Sequence, residues 1–370
     1  MNRHAITITA APLLLALTSP ARADVTLNVF GDVDYAVIHQ AASPTAAWFH
    51  APTGLSGGTT NAFSAPMVDL FATDTVGKVA FLTELVAEVN PATNEFAFDI
   101  ERVEVNYRVR PWLRLHGGRF HTAFGYYNDA FHHGKYFMLA VDRPGMVEFE
   151  DGGGLLPAHG AGVHADGDVP LGEDDAGKLH YDLEVTNGRG KRIDEITSFT
   201  DHDQGKAVNV RLRYVGAGAL DGLTVGGNAY VDHIPADEAN GSPAQREVIL
   251  GGHLVYIEDK ITLISELAHF RHREDVSAAL HTTTGLFVEG GYALGAGDLT
   301  PFVRYEQTSY GDARDPYFAA EQLYGSYKQV SLGAKYNLSE NLCLKAQAIA
   351  TSYDILGHRY AAVGQAAFAF

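Results

Sequence analysis

Polar and apolar residues alternate with a period of two over stretch after stretch of this chain. The segments KLHYDLEV (178–185), VNVRLRYV (208–215), REVILGGHLVYI (246–257) and VSLGAKYNL (330–338) show it most clearly. In the last of these, Val330, Leu332, Ala334, Tyr336 and Leu338 form one face, and Ser331, Gly333, Lys335 and Asn337 form the other. Such alternation puts one set of side chains on each side of a β-strand. The final eleven residues, YAAVGQAAFAF, repeat the pattern, with Tyr360, Ala362, Gly364, Ala366, Phe368 and Phe370 on one stripe that runs to the last residue. Each segment is about ten residues long, the length a tilted strand needs to cross a hydrocarbon layer.

The connections between these strands alternate between long and short, apart from a shortish 355–359 and a longish 169–177. Reading back from Phe370 they fall at 355–359, 339–341, 312–326, 296–298, 274–280, 259–260, 235–245, 217–221, 189–205 and 169–177. Further upstream, strands are expected near 112–120, 96–109, 76–89, 63–73 and 25–38. Pro111 marks a turn, since proline cannot donate to a ladder. The total is about sixteen strands; 39–75 is the weakest segment, so fourteen or eighteen also fit. Long connections at one end and short turns at the other are what outer loops and periplasmic turns of a membrane barrel give, with both chain ends on the periplasmic side.

The start of the chain agrees with that destination. MNRHAITITAAPLLLALTSPARA has Arg3 and His4, an apolar stretch from Ile6 to Leu17, and an A-x-A site at Ala21-Arg22-Ala23. This is the pattern of a secretory signal peptide, so 1–23 is set apart from 24–370, the expected barrel. No later run of 18 apolar residues exists, and a membrane chain without one must satisfy its backbone between strands in a closed barrel. The formal net charge of −18 argues against nucleic acid as a partner. The single cysteine, Cys343, can form no internal disulfide and reads as a buried thiol.

One connection stands out. Residues 121–157, HTAFGYYNDAFHHGKYFMLAVDRPGMVEFEDGGGLLP, are long and rich in aromatic residues, which favours an ordered, functional loop over a solvated one. On the strands leading to it, Arg102, Arg108 and Arg114, with Glu104 and His116, sit on the polar faces, as do Arg211 and Arg213 further on. In a barrel these point into the lumen, where they can face Asp129, Asp142, Glu148, Glu150 and Asp151 of the loop, with Lys135 among them. Two readings follow: a transverse field at a constriction, or a salt-bridge lattice that pins the loop to the wall. Of the 17 histidines, His121, His132 and His133 share the loop. A metal site needs several ligands converging at about 2 Å, so these are weaker as metal ligands than as hydrogen-bonding groups. The glycine run at 152–154 lacks the context of a phosphate loop and reads as a hinge.

The C-terminal Phe after an apolar stripe resembles the last strand of bacterial outer-membrane β-barrels, which the barrel-assembly machinery reads. The long loop after the fifth strand resembles the constriction loop of sixteen-stranded porins. The stretch from GGRFHTAFGYYNDAFHHG to RPGMVEFEDGGGLLPAHG is similar to proteobacterial porin-like proteins of unassigned substrate. The resemblance implies a transmembrane antiparallel β-barrel, an all-β channel in the outer membrane that passes small hydrophilic solutes through a water-filled lumen, with no cofactor. It implies membrane lipid and lipopolysaccharide as surroundings, and a homotrimer, although the short second outer connection, Asn90 to Glu95, leaves little to latch a neighbour. No residues match the arginine ladder of phosphate-selective porins. A barrel hydrolase is the rival class, but such enzymes have about 10–12 strands and a nucleophile with its base, and no Ser-His arrangement of that kind is recognisable here. A channel specific for a substrate or a metal ion is the other alternative.

Overall fold

The computed structural model describes residues 25–40, 58–65, 67–90, 95–131, 133–149, 153–172, 176–195, 205–295, 298–311 and 313–370. The leader expected at 1–23 lies outside them. The strands are β1 (Thr26–Gln40), β2 (Gly58–Ser64), β3 (Met67–Val76), β4 (Val79–Asn90), β5 (Glu95–Arg110), β6 (Leu113–His121), β7 (His159–Pro170), β8 (Lys178–Thr186) and β9 (Ala207–Val215). They continue with β10 (Leu223–Ile234), β11 (Gln245–Glu258), β12 (Ile261–Glu274), β13 (Leu280–Tyr292), β14 (Leu299–Tyr310), β15 (Tyr327–Asn337), β16 (Leu342–Tyr353) and β17 (Gly357–Ala369).

Apart from β2 and β3, neighbours in sequence pair antiparallel all the way round, and β1 closes on β17 with Phe30 opposite Ala369 and Gln40 opposite Arg359. Beyond that ladder the Val29 amide donates to the Phe370 carbonyl at 2.7 Å and the Phe370 amide to the Val29 carbonyl at 2.9 Å. The strand expected near 63–73 proves to be two pieces. The upper half of β1 pairs with β2, Gln40 opposite Gly58, and its lower half with β3, Thr26 opposite Thr73. The break falls between Ser64 and Met67, where the sequence has a proline, which has no N–H to give a ladder. β2 and β3 therefore share one stave of a closed barrel of sixteen.

Alternation sets which way each side chain points. On β15, Val330, Leu332 and Tyr336 are exposed on the outside, whereas Ser331 and Lys335 are buried inside. On β17 the Tyr360 to Phe370 stripe faces out, and Arg359, Gln365 and Ala367 face in. A lysine or arginine on the outer face would cost roughly 2–4 kcal/mol at mid-membrane, which fixes this register. Short turns cluster with the chain ends. Two of them, 77–78 and 259–260, place their first residue in the left-handed region, Gly77 at φ 63° and Asp259 at φ 47°, as two-residue hairpins require. Long connections at 122–158, 187–206 and 311–326 lie at the other end, as expected, although that end also holds the short turn 354–356 and the opposite end the longer connection 171–177. The segments 41–57 and 91–94 fall outside the described residues.

The interior departs from an evenly polar, water-filled lumen. Phe124, Tyr127, Met138 and Met146 of the long loop pack in one buried cluster with Tyr230 (β10), Ile249 (β11), Ile264 and Phe270 (β12) and Phe287 (β13), capped by Tyr317 and Phe318 of the connection 311–326. Inward positions on these strands are apolar because a polypeptide, not water, covers them. Two inward glycines make the fit: a Cβ at Gly251 would meet the Phe124 ring at 2.6 Å, and one at Gly285 would meet Met146 Sδ at 2.7 Å.

Candidate pore constriction

Among the described residues the loop 122–158 has one short α-helix, α1 (Tyr127–Phe131), and one 3-10 turn (Gly145–Val147), so much of its backbone lacks partners of its own. Wall side chains supply them. The Ala123 amide donates to Glu184 Oε1 at 2.8 Å, Gly125 to Asn228 Oδ1 at 3.0 Å, and Tyr126 and Tyr127 both to Glu266 Oε1 at 2.8 and 2.6 Å. The chain then crosses to the seam side and descends. Lys345 Nζ donates to the carbonyls of Lys135 and Ala140 at 2.5 and 2.9 Å, and Tyr136 Oη donates to the Ser339 carbonyl, at a short turn, at 3.2 Å. The return is held by Gln347, which accepts from the Val141 amide at 2.9 Å, by Arg304, which donates to the Asp142 carbonyl at 2.7 Å, and by Glu306, which accepts from the Gly145 amide at 2.6 Å. Cys343 is fully buried beneath this descent, its thiol 3.8 Å from the Tyr136 carbonyl.

With the seam side occupied by the loop, a charged cavity of about 250 Å³ lies against the opposite wall, β5 to β9. Arg102, Glu104, Arg114, His116, Asp129, Arg211 and Arg213 all line it, so seven of the residues expected at a constriction come together. Arg211 is the joint between wall and loop: its Nη2 is 2.6 Å from Asp129 Oδ2, its Nε is 2.8 Å from Asp182 Oδ2, and Nη1 donates to the Gly125 carbonyl at 2.8 Å. Arg114 forks onto Asp166, and Arg102 pairs with Glu84. Arg213 has no ion-pair partner among the described residues and presents its charge to the cavity.

Other expected residues sit elsewhere. Arg108 is exposed beside the turn at 111–112 and does not line the cavity, because it lies at the short-turn end of β5. Lys135 and Asp142 pair with each other at 2.6 Å on the seam side, away from the arginine wall. Burial opposes the Lys135 charge, but the Asp142 carboxylate more than offsets it, so the ammonium is held above its ordinary pKa. Glu148 is enclosed in the loop, where burial raises its carboxyl above the usual range. Glu150, Asp151 and His132 lie outside the described residues. His121 also lines the cavity and faces Glu84 at 3.6 Å, while His133 and His159 face Glu101 at 3.5 and 2.5 Å. This arrangement depends on a β-bulge: Glu84 opposes Arg102 and Leu85 opposes Ile100, which leaves Glu101 as the extra residue of β5, turned inward beside Arg102.

The acids opposite the arginines are thus chiefly the wall's own. Asp166 and His164 on β7, and Asp182 and His180 on β8, line the cavity and were not among the expected residues. Their signal was present in the i, i+2 spacing of charged residues in HADGD and HYDLE. Of the loop acids, Asp129 is the one that reaches the cavity among the described residues.

The same architecture occurs in solved outer-membrane proteins. An anion-selective porin from Comamonas acidovorans superposes with a TM-score of 0.63 at 12% identity, covering 94% of this chain and 100% of its own. The outer-membrane channel DcaP of Acinetobacter baumannii gives 0.59 at 13%, over 95% and 99%, and OmpF of Salmonella typhi gives 0.58 at 14%, over 93% and 97%. Identities this low establish the fold alone. No curated protein matches the chain in sequence. A model of the family described as Gram-negative porin matches residues 9–355. With a closed sixteen-stave barrel and a long inserted loop also in place, the chain belongs to the Gram-negative porin family and is an outer-membrane channel protein.

Proposed function

We propose that this porin passes small hydrophilic solutes by passive diffusion, through a passage confined to the β5–β9 wall by the loop 122–158. The observation that carries this reading is the cavity where Arg102, Arg114, Arg211 and Arg213 stand among Glu104, Asp129, Asp166 and Asp182. Four fixed charges of each sign in so small a space favour solutes that are themselves charged or dipolar over apolar ones. The fold is that of a channel rather than an enzyme, and no catalytic step is assigned to it. Residues 1–23 serve as a cleaved leader in this reading, and Phe370 as the mark for the assembly machinery. Among the structural neighbours, OmpT of Vibrio cholerae is described in a trimer form; a homotrimer embedded in lipid and lipopolysaccharide is the corresponding proposal here. Single-channel recording in planar bilayers tests the function. Discrete conductance steps are expected, and a folded barrel that never conducts at any voltage would overturn it.

A further inference from the structure

Within the cavity, three side chains are arranged in a way that charge balance alone does not require. His116 on β6 and His164 on β7 stand directly opposite each other in register, their rings 4.6 Å apart and 25° from parallel. Asp166 lies two residues beyond His164 on the same face, and its Oδ2 is 2.5 Å from His116 Nε2. Ligand atoms of all three fall within 4.8 Å of one another, the one such group of His, Cys, Asp or Glu among the described residues.

The surroundings complete the pattern. His116 Nδ1 is 2.6 Å from Glu104 Oε1, and His164 Nε2 is 3.2 Å from Asp182 Oδ1. Each imidazole therefore has one nitrogen held by a carboxylate outside the group, which fixes its ring, and the other nitrogen of His116 already faces Asp166 inside the group. Asp166 is in turn gripped by Arg114, through Nη2 at 2.8 Å and Nε at 3.0 Å. Carboxylate–imidazole pairs behind the ligands are how proteins orient histidines around a metal ion. Of the nearby arginines, Arg102, Arg114 and Arg211 are each already paired with carboxylates, which leaves Arg213 as the lining arginine without an ion-pair partner among the described residues.

We propose that His116, His164 and Asp166 bind a first-row divalent cation such as Zn²⁺, Ni²⁺ or Cu²⁺ inside the passage, with Glu104 and Asp182 orienting the two histidines. Two imidazoles and one carboxylate suit these ions and not Ca²⁺ or Mg²⁺, which take oxygen ligands. Binding displaces the proton between His116 Nε2 and Asp166 Oδ2 to solvent, so the exchange is one divalent ion in and one proton out. Only the consequence for permeation rests on the channel reading; the binding itself does not.

The test is calorimetric titration of the folded, detergent-solubilised protein with ZnCl₂ in a non-chelating buffer at pH 7.5, beside Cu²⁺ paramagnetic resonance. One Zn²⁺ site per chain is expected, with Cu²⁺ spectra showing nitrogen coupling and no response to CaCl₂. His164→Gln should abolish the site, and the milder Glu104→Gln should weaken it roughly 10–100-fold. His39→Ala, at an exposed histidine on β1, should leave it unchanged. Heat-modifiable migration on gels confirms that each variant is folded. If the natural protein takes up no Zn²⁺, or if folded His164→Gln and Glu104→Gln bind it as tightly as the natural protein, the proposal is overturned. In bilayers, Zn²⁺ should reduce conductance in the natural protein and not in His164→Gln. Site-dependent binding to a barrel that never conducts would uphold the metal site while removing the channel reading.

Discussion

Arg211 on the barrel wall and Asp129 in the inserted loop are joined at 2.6 Å, and the arginine end of that pair is only 1% exposed. The same guanidinium also holds Asp182 of β8, so one residue ties loop to wall and wall to itself. Removing one member of such a buried pair typically costs about 3–5 kcal/mol, because the remaining charges are left uncompensated. Arg211→Ala is expected to destabilise the barrel by about that amount and to increase conductance by loosening the first turn of the loop. Asp129→Asn should do less, losing about 1.5–3 kcal/mol of charge-assisted hydrogen bonding. Urea unfolding in lipid vesicles and single-channel recording together decide the matter; a destabilised Arg211→Ala channel of unchanged conductance would contradict the latch.

Phe124 and Tyr127 fill the space above Gly251 and beside Phe287, so the loop is held by packing as well as by polar contacts. Phe124→Ala should cost about 3–5 kcal/mol, the usual range for a buried phenyl ring. Deleting residues 128–150 should raise conductance and, by baring Ile249, Phe270 and Phe318 to water, should also lower the unfolding midpoint. A deletion that leaves both quantities as they were would mean that the loop does not occupy the lumen.

Selectivity should follow position rather than residue type. Replacing Arg102, Arg114 and Arg213 by Ala leaves Glu104, Asp129, Asp166 and Asp182 in excess, so the reversal potential in a salt gradient should move towards cation preference. Arg108→Ala, at the rim, should move it little. The shift should shrink at high salt, where the Debye length falls to about 3 Å at 1 M. Equal effects of Arg108 and Arg213 would show that the field is diffuse rather than local to the cavity.

Tags inserted at 196–204, in the long connection between β8 and β9, are expected to leave assembly intact and to be labelled on whole cells. Tags in the turns at 259–260 and 338–341 should be reached only after the outer membrane is opened. Labelling of the short turns in intact cells would invert the orientation.

The barrel could be read from the chain because strand alternation in a membrane is nearly free of exceptions: lipid on one side forces Val330, Leu332 and Tyr336 outward whatever else the residues do. The connections were equally legible, as turn and loop lengths are local properties. What remained hidden depended on three-dimensional neighbours. The inward Ile249, Ile264 and Phe287 break the polar stripe because the loop covers them, and no local pattern says which strands the loop will meet. The bulge at Glu101 turned an apparently alternating strand out of phase, and the pairing of Lys135 with Asp142 removed two charges from the cavity. His164, Asp166, His180 and Asp182 did carry a signal, a regular run of ionisable residues on lumen-facing positions of β7 and β8. It becomes meaningful only when those strands are seen to stand beside Arg114 and Arg211.

The seam has a further meaning for how the barrel is made. Every other stave meets its neighbour through a connection of at most a few dozen residues, so those pairings can form early from local hairpins. The β1–β17 ladder instead joins residues more than 300 positions apart, Phe30 to Ala369, and its closure entropy falls due only when all the rest is in place. β1 is also the strand whose other edge is divided between β2 and β3. The last strand made is thus received by a strand whose far edge is divided between two pieces rather than backed by one. On contact order, closing the cylinder rather than forming any single hairpin is expected to be the slow step of assembly.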